Sequence, residues 1–133
     1  VLWEPVVHGP RYLEALRALH EAFLRSEAAE GRRQRPHSTA HEIMGFPLPP
    51  GLADDLEEIE LLALGNSLAK RVLLIGSDDP APLEALARHL AQRGAEVSHH
   101  HLPGQGIWVR EVGQPRALVP APILESVVGW MVQ

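Results

Sequence analysis

The chain contains no cysteine. Disulfide staples and thiolate metal sites are therefore excluded, and a reducing, cytoplasmic setting is expected. No apolar run approaches the length of a bilayer-crossing helix, so no membrane span is expected. No basic segment leads into an apolar stretch of the kind that forms a secretory signal. Basic charge is in deficit, with 12 Lys+Arg against 17 Asp+Glu and a net charge of -5. Phosphate binding needs clustered Lys and Arg, so nucleic acid is not expected as a partner. None of the serines, Ser26, Ser38, Ser67, Ser77, Ser98 and Ser126, stands in the Gly-x-Ser-x-Gly elbow that exposes a nucleophile on a strand-to-helix turn. Gly104-Gln105-Gly106 does not complete a dinucleotide fingerprint, because no helix follows at the right offset. No cofactor is expected.

What is present is an ordinary globular balance. The 133 residues are 45% hydrophobic and 22% charged, enough for one domain with a packed core. Val1-Leu2-Trp3 reads as a buried inner strand stopped by Glu4-Pro5. Because this apolar segment stands at Val1 with no lead-in, the chain reads as a piece of a longer protein. Pro10 suits the first turn of a helix whose inward stripe is Tyr12, Leu13, Leu16, Leu19 and Phe23, and which fades near 29–31. Residues 31–40 have no periodicity and read as a connector. A short edge strand is expected over 41–46, ended by Pro47, Pro49 and Pro50. A second helix is expected over 51–64, with Leu52, Leu56 and Ile59 inward and the acidic residues from Asp54 to Glu60 solvated.

The clearest unit follows. Val72-Leu73-Leu74-Ile75 has the continuous apolar character of a strand buried on both faces. Gly76-Ser77-Asp78-Asp79-Pro80 leads into a helix with the stripe Leu83, Leu86, Ala87 and Leu90. Gly94 ends that helix, and 95–102 is a second strand. Strand, helix and strand in this span form a βαβ unit with parallel strands. A final helix over 122–132 is expected to turn Ile123, Val127, Trp130 and Met131 inward. The predicted class is α/β, in three layers, with a mostly parallel sheet flanked by helices.

Two groups of residues carry chemistry. Asp79 lies past the carboxyl end of a predicted parallel strand, where ligands and catalytic groups gather in open α/β sheets. A carboxylate there orients an imidazole in a triad, whereas an Asp before Pro80 is also a good helix cap. His99, His100 and His101 lie on the second strand, and alternation puts His99 and His101 on one face. Two such imidazoles, with Asp78 or Asp79 as a third ligand, make a metal-dependent hydrolase one reading of the chain. Polar side chains at a solvent edge are the plainer one.

The order of parts is similar to a known superfamily. A buried strand, Gly-x-x-Asp with Pro, a helix, a strand, then Leu102-Pro103-Gly104-Gln105-Gly106 and a closing helix resembles the carboxyl-terminal half of an α/β-hydrolase. Trp3-Glu4-Pro5-Val6-Val7 and Met44-Gly45-Phe46-Pro47-Leu48 are similar to hydrolase-like proteins encoded with bacterial exosortase systems. The resemblance implies a partial α/β-hydrolase-like fold with residues 10–64 as a helical cap-like segment, and hydrolysis of esters, thioesters or peptides in whole relatives. It implies that Asp79 is the triad acid, and it puts Ile107 where the family carries its triad histidine. Ile107 neither takes nor gives a proton, so this chain is expected to be inactive alone. Its expected partner is a second copy or the amino-terminal half that would hold the nucleophile. The alternative is a non-catalytic α/β interaction module whose sheet edge another chain covers.

Overall fold

The structure is a computed structural model that describes residues 1–29, 42–43, 46–65, 69–103 and 121–132. The chain divides into two compact units, one formed by Val1–Val7 with Leu62–Gln133 and the other by His8–Leu61.

The first unit is α/β. Its sheet holds β1 (Leu2–Trp3), β4 (Arg71–Gly76) and β5 (Glu96–His101) in the order β1-β4-β5. Both pairings are parallel, with Leu2 opposite Leu74 on one side and Arg71 to Gly76 opposite Glu96 to His101 on the other. Between β4 and β5 runs α3 (Ala81–Gln92), the crossover of the βαβ unit expected from the apolar pattern. All of β4 from Val72 to Gly76 is buried, as its unbroken apolar run requires. Leu73 and Ile75 pack with Ile123 of α4 (Ala121–Met131), joined by Trp3, Val127 and Trp130. The alternate positions face α3, where Leu83 comes close to Gly76. The sheet is therefore covered by α4 on one face and α3 on the other.

Local chemistry sets the ends of α3. Pro80 stands at its start, and Gly94 adopts φ 87° just past its end. The Gly94 N–H reaches the Ala91 carbonyl at 3.0 Å and the Ala95 N–H the Leu90 carbonyl at 3.2 Å, a complete Schellman motif. His89 Nε2 donates to the Leu64 carbonyl at 3.0 Å and Arg93 Nε to that of Gly65 at 3.0 Å, tying the segment before β4 to the same helix. On the opposite face the Trp130 indole N–H donates to Ser98 Oγ at 3.2 Å, and the Arg71 guanidinium sits 4.9 Å over the Trp130 ring.

The second unit contains α1 (Gly9–Ala29), the antiparallel pair β2 (Glu42–Ile43) and β3 (Phe46–Pro47), and α2 (Pro50–Glu57), followed by a short 3₁₀ turn over Leu61–Ala63 that begins at its boundary. His8 caps α1, its Nδ1 accepting from the Arg11 N–H at 3.3 Å. Its Nε2 lies 3.5 Å from Glu60, and the Gly9 N–H donates to the Ile59 carbonyl at 2.8 Å. These contacts pin the start of α1 to the chain just past α2.

Several expectations are corrected. β1 is an edge strand among the described residues rather than an inner one, with Val1 52% and Leu2 38% exposed. Only two of its residues pair, and among the described residues it has a neighbour on one side alone. Of the expected α1 stripe Leu13 is buried, while Tyr12, Leu19 and Phe23 are exposed. The second helix stops at Glu57 instead of continuing to Leu64, and Leu52 on it is exposed. Met131, the last residue of α4, is 69% exposed rather than inward. Along α1 and α4 the apolar stripe is wider than the surface that covers it among the described residues.

Leu86, on the α3 stripe, is 1% exposed. Replacing it with Ala is expected to destabilise the first unit by about 2–5 kcal/mol, read as a lower urea midpoint in equilibrium unfolding.

Candidate functional site

Parallel strands end on the same side of the sheet, so β1, β4 and β5 deliver their following residues to one edge. The Glu4 N–H donates to the Ile75 carbonyl at 2.9 Å and the Leu102 N–H to that of Gly76 at 2.9 Å, carrying the ladder just past the strands. At this edge the chain places Glu4, Ser77, Asp78, Asp79 and His101.

Glu4 and Ser77 are the best-defined pair. Glu4 Oε1 accepts both the Ser77 backbone N–H, at 2.8 Å, and the Ser77 hydroxyl, at 2.5 Å. Ser77 is buried and Glu4 half-buried. Glu4 holds φ 45°, the one non-glycine residue with positive φ among those described. A left-handed backbone at such a residue costs about 1–3 kcal/mol and persists only where the surroundings enforce it. Two hydrogen bonds to one carboxylate oxygen supply that enforcement. His101 completes the row, its Nε2 donating to the Ser77 carbonyl at 3.3 Å.

Asp79 is exposed and turned to a different task. Its Oδ1 accepts the Ala81 N–H at 3.0 Å, satisfying a free donor in the first turn of α3. The capping reading of this residue is therefore the one that its hydrogen bond supports. Asp78 beside it is exposed.

The three histidines separate as strand alternation requires. His99 and His101 share the α3 side of β5, opposite Leu74 and Gly76 of β4. His99 Nε2 is buried without a hydrogen-bond partner among the described residues. His100 points to the other face, where its Nδ1 lies 2.5 Å from Ser126 Oγ on α4. Among the described residues no three His, Asp or Glu side chains gather as metal ligands, and Asp79 does not join His99 and His101. Ile107, Gly104-Gln105-Gly106 and Trp108 lie outside the described residues. Among those described, no helix is long and apolar enough to cross a membrane.

Glu4 and Ser77 escape a reading based on motifs. Glu4-Pro5 reads as the stop of a strand, and Ser77 reads as a hydroxyl without an elbow. The available signal is position: each is the first polar side chain after an apolar strand, and parallel pairing makes such residues neighbours.

Comparison with protein-family models, curated proteins and solved structures finds no match.

Glu4→Ala removes the acceptor of a buried N–H and a hydroxyl while keeping a Cβ on a left-handed backbone. A loss of about 1–3 kcal/mol is expected in urea unfolding, and Glu4→Gln, which keeps one carbonyl oxygen, is expected to lose less.

Proposed function

We propose that this chain is α/β-hydrolase-like, corresponds to the carboxyl-terminal half of that fold, and carries no acyl-transfer activity by itself. The observation that supports the reading best is the shared carboxyl edge of three parallel strands, where carboxylates stand at the ends of two neighbouring strands. That is where an acid must stand to orient an imidazole supplied from elsewhere. The sequence likeness in Gly76-Ser77-Asp78-Asp79 and Trp3-Glu4-Pro5 points the same way.

Inactivity follows from how the polar groups are spent. Acyl transfer needs a nucleophile touching a base and the base touching an orienting group. At the edge the Ser77 hydroxyl donates to the Glu4 carboxylate and not to an imidazole. His101 meets the Ser77 carbonyl rather than its hydroxyl. Asp79 holds a backbone N–H, and no imidazole hydrogen-bonds it among the described residues. The residue at the family's histidine position is Ile107. His100 and Ser126 do touch, but on the α4 face, and no carboxylate orients His100 among the described residues.

The purified chain is expected to turn over a p-nitrophenyl ester no faster than a heat-treated control. Turnover that disappears in Asp79→Ala would overturn the reading by showing a working triad. Turnover that disappears in Ser126→Ala would overturn it equally, by placing a working Ser–His pair against α4.

A further inference from the structure

Among the described residues nothing pairs with the outer edge of β5, and its geometry selects an occupant. The Glu96 N–H donates to the Lys70 carbonyl at 2.8 Å and the Leu102 N–H to that of Gly76 at 2.9 Å, so the even-numbered residues of this segment turn their main-chain groups toward β4. Alternation then points the N–H and C=O of Val97, His99 and His101 away from the sheet. None of these outward groups is hydrogen-bonded among the described residues, and β5 has β4 as its one neighbour there. Six residues long, it is the longest edge strand described. Proteins that must keep such an edge free place Lys, Pro or a bulge on it. β5 reads Glu-Val-Ser-His-His-His and carries neither Lys nor Pro, and its register to β4 runs without a bulge.

We propose that β5 pairs antiparallel with β5 of a second copy of this chain, about a two-fold axis at His99, so that two three-stranded sheets become one six-stranded sheet. Three outward residues centred on His99 form a donor and acceptor row that is its own complement under a two-fold rotation. In this register His99 exchanges both main-chain hydrogen bonds with the second copy's His99. Val97 lies opposite His101, Ser98 opposite His100, and Glu96 opposite Leu102. In this register no two carboxylates and no Lys or Arg side chains face each other across the pair. The edge concerned is the one remote from β1, so the pairing is independent of the hydrolase-like reading.

The absence of cysteine from the whole chain makes the register directly testable. Opposed residues in a hydrogen-bonded antiparallel pair have Cα atoms about 5.5 Å apart, inside the disulfide range of about 4.4–6.8 Å. Val97 and its own copy would be offset by about four residues, or about 13 Å. The expected result is a dimer by size-exclusion with light scattering at high protein concentration. Under diamide, His99→Cys is expected to form a covalent dimer and Val97→Cys to remain single chains on a non-reducing gel. His99→Pro removes an outward N–H that β4 does not use, and is expected to give a monomer with unchanged far-UV circular dichroism. A wild-type monomer at every concentration up to the solubility limit would overturn the proposal. So would a dimer in which Val97→Cys cross-links as fast as His99→Cys, or one that survives His99→Pro.

Discussion

The structure of the first unit depends on the burial of β4. Five consecutive residues, Val72 to Gly76, are shut away from water on both faces of the sheet. A strand of that kind is stable only if its main-chain groups are paired on both sides and its side chains are covered above and below. β1 and β5 meet the first demand, and α3 and α4 meet the second. Because both neighbours run parallel to β4, their last residues emerge at one edge. The polar groups there are neighbours as a consequence of how β4 is buried.

That edge shows how a carboxylate is fixed in place. Glu4 accepts a left-handed backbone, and the cost is offset by two hydrogen bonds from Ser77, one of them from a main-chain N–H that would otherwise be buried without a partner. The pair joins the end of β1 to the end of β4, and His101 joins β5 to the same residue. Every hydroxyl and imidazole in this row is engaged in holding strand ends together. Carboxylate, hydroxyl and imidazole are wired to one another as structure.

The opposite face is tied down in a different way. Ser98 and His100, two residues apart on β5, bond Trp130 and Ser126, four residues apart on α4. Strand and helix periodicities coincide over that distance, giving two polar rungs beside the apolar cluster of Leu73, Ile75 and Ile123. This leaves the outward main-chain groups of Val97, His99 and His101 without a hydrogen-bond partner among the described residues.

Much of the βαβ unit is legible in the residues alone. The unbroken apolar run at 72–75 demands a strand covered on both faces, the stripe Leu83, Leu86 and Leu90 demands a helix, and Gly94 is the residue best suited to end it. Asp79 before Pro80 likewise announces a helix start by its local chemistry. These are short-range requirements, met within a few residues of themselves. Whether Tyr12, Leu52 or Met131 is covered depends on partners distant in sequence, so periodicity overstates their burial. The junction of Glu4 with Ser77 lies furthest from any local signal, because 73 positions separate the two residues. Composition and pattern by themselves determined the α/β class, the buried strand and its crossover helix. Tertiary structure alone decided which carboxylate is fixed at the sheet edge and which face each histidine takes, because parallel pairing and register, set by packing across the whole sheet, bring those groups together.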